Sequence, residues 1–470
     1  MLTESIQNEL IEIVGVKNIQ VSNSSLLAYS YDATPGFQSL PDAVVSPRNT
    51  EEVARIVKLC NHHRIPITPR GSGTNLSAGT TPLHGGIVLL MKHFNRILEI
   101  DEENLTVRTQ PGVITESLIK SVEEKGLFYP PDPSSMKVSQ IGGNINENSG
   151  GLRGLKYGVT RDYVMGLEVV LANGEIIRTG GKLAKDVAGY DLTSLIVGSE
   201  GTLGIVTEAT LKLIPMPETK KTMLALYNKM EDAAHTVSSI ISNRIIPATL
   251  ELLDQPTLKA VEDFAKIGLP TNVQAVLLIE QDGTSTNVQN DIGRIEAICR
   301  DHHAREVTIA QTKEEAEALT AARRLALTAL ARLKPTTILE DATVPRSEIA
   351  NMVMAIQSIA KRNRLTICTF GHAGDGNLHP TCLTDIRDTD EMSRVEKAFE
   401  EIFHKAIELG GTITGEHGVG AMKLPYLNLK VGSAGIEAMK AIKRAIDPNL
   451  IMNPGKMFVF LERQRLVVQK

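Results

Sequence analysis

Two histidines, His372 and His379, stand seven residues apart in GHAGDGNLHP, and the pair Glu416 and His417 follows in TITGEHGVG, 37 residues beyond the second histidine. Neutral imidazoles and a carboxylate are sensible ligands for Zn²⁺ or another first-row divalent ion such as Mn²⁺, and they leave a coordination position for substrate. An uninterrupted helix would set the histidines two turns apart, but Gly374 and Gly376 favour a turn that folds both rings towards one ion. The same spacing suits a polar turn with two surface histidines, or a glycine-rich phosphate loop, and Asp375 serves as an acid or as a turn former. Arg323 and Arg324 in ALTAARRLALTAL offer a guanidinium to an anion. Adjacent helical positions face different sides, so solvent exposure explains an arginine pair equally well.

Three glycine-rich tracts lie earlier in the chain. PRGSGTNLSAG follows the apolar IPI and combines close-approach glycines with Ser72, Thr74, Asn75 and Ser77. It is neither GxxxxGK[ST] nor the dinucleotide fingerprint, so by itself it reads as a phosphate cradle or as a surface turn. A long irregular segment, DPSSMKVSQIGGNINENSGG, adds Ser139, Gly142, Gly143, Asn146, Gly150 and Gly151. GSEGTLGIVTEATLKL then sets Gly198, Gly201 and Gly204 just before strand-like residues. Three separated loops can enclose the pyrophosphate and extended body of a large dinucleotide cofactor.

These loops need a scaffold. At 470 residues the chain exceeds one typical hydrophobic core, and two or three units are expected. Its 42% hydrophobic and 22% charged residues fit a soluble globular chain, and a net charge of -5 gives no support to a nucleic-acid surface. MLTESIQNELIEIVG opens as an amphipathic helix without an export signal, and no run approaches the roughly 20 apolar residues of a membrane-spanning helix. Cys60, Cys299, Cys368 and Cys382 are too scattered for a disulfide framework or an iron–sulfur motif, which favours the cytoplasm, with peripheral membrane attachment through a partner left open. Strand, helix and strand signals in PDAVVSPRNTEEVARIVKLCNHHRIPI begin an α+β unit that runs to about residue 215, with Asn49 or Thr50 as a helix cap. After LIPMPETKK, strands alternate with longer helices such as EDAAHTVSSIISN, as in a second sheet with helices on one face. The last part starts at GEHGVGAMK, contains the helix stop Asp447–Pro448 and ends after IMNPGKMF.

Taken in order, PRGSGTNLSAG, DPSS…IGGNINENSGG, GSEGTLGIVTEATLKL, GHAGDGNLHP, GEHGVG and NPGK resemble the flavin-binding oxidoreductases of the vanillyl-alcohol oxidase superfamily, and within it the branch of D-lactate dehydrogenase and the D-type chain of glycolate oxidase. The resemblance implies an α+β fold: an FAD-binding domain of two subdomains with an α+β substrate-binding cap. The expected boundaries are 1–35 for an amino-terminal helical segment, 36–217 for the FAD domain, 218–415 for the cap, and 416–470 for a segment returning to the FAD domain. It implies cofactor roles for Arg70, Gly71, Ser72, Gly73, Thr74, Ser77, Ala78 and Gly79, then Ser139, Gly142, Gly143, Asn146, Gly150 and Gly151, then Gly201, Gly204, Ile205, Val206 and Asn453. His372, His379 and Glu416 match the family's metal ligands, His417 its base, and Arg323 its substrate-carboxylate anchor. Many relatives carry tryptophan three residues before that arginine, whereas this chain has Thr320 and no tryptophan at all.

The implied reaction is oxidation of a small D-2-hydroxy acid, glycolate or D-lactate, to its 2-oxo acid by hydride transfer from C2 to flavin N5. A divalent metal and His417 would assist removal of the hydroxyl proton. The alternatives are a D-2-hydroxyglutarate dehydrogenase, another FAD-linked alcohol oxidase, or a non-enzymatic flavoprotein subunit of a larger complex. The resemblance permits an iron–sulfur subunit, a second flavin subunit or another carrier as electron acceptor, and a homo-oligomer. Some relatives attach FAD through a histidine of the first loop, and PRGSGTN has none. Denaturing the purified protein should therefore release its yellow chromophore; flavin retained on the chain would contradict noncovalent FAD.

Overall fold

Asn49 starts the helix Thr50–His63 by accepting a hydrogen bond from the backbone N–H of Glu52 at 2.9 Å. The stripe Val53, Ile56, Val57 and Cys60 that follows is buried, as a helix with one core-facing side requires. The structure, a computed structural model, describes residues 2–460. These fall into two compact units: one takes residues up to Ser149, Val159–Met216 and those from Glu416 onward, and the other takes Gly150–Gly158 and Pro217–Gly415. The amino-terminal helix Glu4–Val14 belongs to the first unit, where Leu10 and Val14 enter the same core as the stripe above.

The first unit holds two larger sheets and two main cores. One sheet orders Ile19–Gln20, Ala43–Val45, Ile87–Leu90 and Ile67–Arg70, the last three mutually parallel. The other is antiparallel and orders Ile97–Asp101, Thr106–Thr109, Ile205–Lys212, Val164–Val170 and Ile176–Gly180. Its core takes Leu118, Ile119 and Val122 from the helix Thr115–Glu123, together with Ile141 and Ile145. Each fully buried Val, Leu or Ile contributes roughly 1.5–3 kcal/mol, so each core can hold its own sheet. This is the expected α+β arrangement with two subdomains.

The end of the described chain closes this unit. The helix Leu427–Ile446 stops at Asp447, and the chain then runs beside the strand Ile67–Arg70. Ile67 N–H donates to Ile451 O, and Asn453 N–H donates to Ile67 O, both at 2.8 Å. Buried Lys443 pins the return: its Nζ donates to Thr202 O at 2.6 Å, Asp447 Oδ2 at 2.6 Å and Met452 O at 2.8 Å.

The second unit is built on one antiparallel sheet. Its order is Glu306–Ile309, Thr219–Tyr227, Ala275–Gly283, Thr249–Asp254, Thr366–His372, Asn377–Thr384 and Thr336–Leu339, with Ala342–Thr343 also paired to Asn377–Thr384. Thr249–Asp254 and Asn377–Thr384 are buried at every residue rather than at alternate ones. Both faces of the sheet are therefore covered there. Removing the buried Lys443 charge leaves Asp447 without its counter-charge, held among the described residues only by the N–H groups of Ile451 and Met452, so Lys443→Met should cost about 3–5 kcal/mol of unfolding free energy in denaturant titrations; a change under about 1 kcal/mol would contradict the pinning role.

Candidate active site

A cavity in the first unit is walled by all three glycine-rich tracts. Arg70, Gly71 and Gly79 come from the first, Gly142, Gly143 and Asn146 from the second, and Gly201, Ile205 and Val206 from the third. Asn453 joins them, with Pro69, Thr80, Met91, Pro111, Gln140, Glu147 and Glu200 completing the wall. The second tract is not wholly irregular, because Ile141–Glu147 forms a short helix that ends at left-handed Asn148. Gly201 has φ +68°, and a Cβ there would lie 2.6 Å from Pro69 Cγ, so no larger residue fits without displacing the first tract.

Other positions assigned from sequence support this wall without lining it. The Ser72 hydroxyl donates to Val138 O, and Ser77 N–H donates to Asn75 Oδ1 at 2.8 Å. Ala78 N–H donates to Thr34 Oγ1 at 2.7 Å, and the Thr115 hydroxyl bonds Ser139 O at 3.1 Å. Gly204 packs on Val169, while Gly73 and Thr74 lie between lining residues of the first tract. Gly150 and Gly151 group with the second unit.

Two carboxylates that sequence reasoning missed set the electrostatics of the cavity. Glu200 accepts backbone N–H bonds from Val419 and Gly420, each at 2.7 Å, and so fastens the segment after His417. Burial raises the Glu200 carboxyl above its ordinary pKa, with those two bonds and Lys456 and Lys423 opposing. Glu147 is pushed well above its ordinary value by burial, then by Glu200 and Asp32. Lys456, whose Nζ donates to Thr81 O at 2.8 Å, is pushed down by burial to about 8. The sequence signal for Glu200 was its place just before Gly201 in the third tract, and the chain adopts the left-handed conformation at both residues.

Asn453 ties the tracts together: its Nδ2 donates to Gly79 O at 2.8 Å and to Glu200 O at 2.7 Å. Asn453 Oδ1 and Gln140 Oε1 are shielded from solvent and have no hydrogen-bond partner among the described residues. Glycine walls and unused acceptor oxygens fit a large ligand rich in N–H and O–H donors, as FAD is. Asn453→Ala would strand two carbonyls, each worth about 1–3 kcal/mol, so FAD should bind at least about tenfold more weakly by fluorescence titration; unchanged affinity would contradict its bridging role.

The second unit assembles a different cluster on one sheet face. Leu253 pairs with Phe370 and Leu252 with Gly371, and the next step sets Glu251 opposite His372. Phe370 pairs with His379 and His372 with Asn377 across the following hairpin. Residues two apart share a face, so Glu251, His372 and His379 all project from the same side. The imidazole centroids are 5.1 Å apart with planes at 89°, and their ligand nitrogens approach within 4.8 Å. GHAGDGNLHP is thus a hairpin with both histidines in its strands, and Asp375 is a turn former whose Oδ1 accepts Asn377 N–H at 3.1 Å.

Arg323, at the end of the helix Lys313–Arg324, joins this cluster and is 3% exposed. Its Nε forms an ion pair with Glu251 Oε2 at 2.6 Å, while His372 Nδ1 lies 2.7 Å from Glu251 Oε1. The guanidinium sits 4.8 Å from the Phe370 ring centroid. Burial raises the Glu251 carboxyl, but Arg323, His372 and His379 outweigh it and hold the pKa below the ordinary value. Glu251 escaped sequence reasoning, and its signal was one acidic residue within the apolar run TLELL. Glu416 and His417 lie in the first unit, with His417 Nε2 4.0 Å from Glu416 Oε1.

Comparisons with known proteins agree with both halves. Residues 41–180 match the family described as FAD binding domain, and residues 216–457 match FAD linked oxidases, C-terminal domain. Glycolate oxidase subunit GlcD of Bacillus subtilis (strain 168) is 70% identical over 470 residues, 100% of both chains. The protein of that name from Escherichia coli (strain K12) is 37% identical over 94% of this chain and 88% of its own. D-lactate dehydrogenase of Anaerostipes hadrus is 38% identical over 89% of each chain. Among solved structures, p-cresol methylhydroxylase with substrate bound shares the fold at 19% identity and a TM-score of 0.80, over 97% of both chains. The chain belongs to the FAD-linked oxidases, in the branch of the GlcD chains of glycolate oxidase and the D-lactate dehydrogenases, and is an FAD-dependent oxidoreductase.

Proposed function

We propose that the protein oxidises a small D-2-hydroxy acid, glycolate or D-lactate, to the 2-oxo acid, using noncovalent FAD held in the glycine-walled cavity. The names of the similar proteins support the substrate class. The observation that carries the reading is the buried guanidinium beside two imidazoles on one sheet face. A 2-hydroxy acid presents a carboxylate next to a hydroxyl, and that cluster offers an anion anchor next to two metal ligands. Arg323 Nη2 is buried and has no hydrogen-bond partner among the described residues, which suits a substrate carboxylate oxygen. Thr320, where many relatives carry tryptophan, turns its hydroxyl onto Ala316 O at 3.0 Å.

His372 and His379, with Glu416, would hold a divalent ion, Zn²⁺ or Mn²⁺. Glu416 directly follows Gly415, whose N–H donates to Asp341 Oδ2 at 2.6 Å within the second unit. Such an ion, when bound, lowers the pKa of a coordinated hydroxyl. FAD held in the cavity would supply the acceptor for the C2 hydride at N5 and would stay there in reduced form until its electrons pass on. His417 receives the hydroxyl proton, and Arg323 holds the carboxylate so that C2 keeps one orientation. Glycolate oxidase relatives that are themselves subunits support electron delivery to a companion protein, an iron–sulfur or second flavin subunit among the candidates.

Anaerobic stopped-flow flavin spectroscopy against a panel of D- and L-2-hydroxy acids, with bound metal measured on the same sample, tests the reading. Glycolate or D-lactate should reduce the flavin, and failure with every 2-hydroxy acid at full FAD and metal occupancy would overturn it. His417→Ala should slow reduction by about 10²–10⁴-fold while retaining FAD. His379→Ala should lower metal content and activity together, and unchanged metal occupancy would remove it from the ligand set.

A further inference from the structure

Glu251 uses both carboxylate oxygens on groups that the proposed chemistry needs, one on His372 and the other on Arg323. It is fully buried, so neither oxygen is turned to water. An arginine stays cationic, and a carboxylate beside it only accepts hydrogen bonds. The short contact to His372 Nδ1 therefore requires the proton on Nδ1, which makes Nε2 the lone-pair nitrogen of the neutral ring. The same carboxylate is ion-paired with the guanidinium at Nε, while the buried Nη2, which has no hydrogen-bond partner among the described residues, is left for another anion.

We propose that Glu251 is a positioning residue that couples two functions: it fixes the His372 tautomer able to ligate a metal through Nε2, and it aims Arg323 at the substrate carboxylate. The inference rests on the metal and anchor roles proposed above, and its chemistry is carried by the chain's own contacts. Replacing Glu251 with glutamine keeps the shape but makes the two oxygens unlike. The Arg323 N–H draws the amide oxygen, so the amide NH₂ faces His372. Nδ1 must then accept, and the proton moves to Nε2.

The test begins on metal-free protein with ¹⁵N-labelled histidine, read by long-range ¹H–¹⁵N correlation. Wild-type His372 should be the Nδ1–H tautomer, and Glu251→Gln should convert it to Nε2–H. Metal titration of the same samples should show affinity falling about 10–100-fold, and the substrate KM should rise about tenfold as the anchor loses its partner. Adding Arg323→Met to Glu251→Gln removes the group that draws the amide oxygen. That double variant should regain the Nδ1–H tautomer and most of the metal affinity while its KM stays high, a rescue that a purely structural role would not produce. The double variant also buries no unpaired cation, so it serves if the single variant does not fold, and Nε2–H in it would overturn the proposal. An unchanged tautomer in Glu251→Gln would overturn it too, as would unchanged metal affinity in a protein whose wild type binds the ion. Should wild type bind no divalent ion, the metal reading fails, and the tautomer shift still decides the role of Glu251.

Discussion

A slip of one residue between the strands Thr366–His372 and Asn377–Thr384 would send His379 to the opposite face of the sheet from His372. The proposed chemistry of the second unit depends on that register. It is enforced from both sides: Leu252 and Leu253 pair with Gly371 and Phe370, and the turn is closed by Gly376 N–H to His372 O at 3.1 Å. Gly376 has φ +88°, and a Cβ there would lie 2.1 Å from Val344 O, so the turn admits glycine where a side chain would open it. The glycines of this stretch therefore serve strand pairing, and the histidines inherit their geometry from it.

The first unit solves a different problem. Its cavity walls come from segments far apart in sequence, and beside the strand residues Pro69, Arg70, Ile205 and Val206 they are loops and one short helix, which cannot hold their shape alone. Buried polar ties do this work: Asn453 bridges Gly79 and Glu200, Glu200 gathers Val419 and Gly420, and Lys443 fastens the chain before Met452. Burying such groups is costly unless each finds partners, and here each finds two or more. The return of the chain from Glu416 onward is thus part of the cavity wall and its support.

Much of this was legible in the sequence because it follows local rules. Asn49 as a cap, the stripe from Val53 to Cys60, the helix stop at Asp447 and the change of pattern after Met216 all obey short-range periodicity or turn chemistry. The three glycine tracts announced a cavity, and the two histidines announced a cluster. What stayed hidden depends on strand partners. Glu251 becomes significant only when the pairing of Leu252 with Gly371 sets it beside His372, 121 residues away. Arg323 reads as either half of an exposed pair until the fold buries it against Glu251. Ile141–Glu147 looked irregular because its two glycines are poor helix formers, and the core contacts of Ile141 and Ile145 override that propensity.

Charge balance bears on which hydroxy acid such a site would favour. Under the proposed reading, Arg323 contributes one positive charge and a divalent ion two, against one negative charge each from Glu251 and Glu416. A monoanionic substrate such as glycolate or D-lactate brings the sum to zero. A dianion such as 2-hydroxyglutarate leaves one negative charge in excess, and low-dielectric surroundings make an uncompensated charge expensive. Glu251 is what makes this arithmetic selective: were Arg323 not already paired with it at 2.6 Å, the site would carry the extra positive charge that a second carboxylate needs. Under that reading, the residue that holds the histidine and the arginine would also set the charge that the site can accept, in favour of the smaller acids.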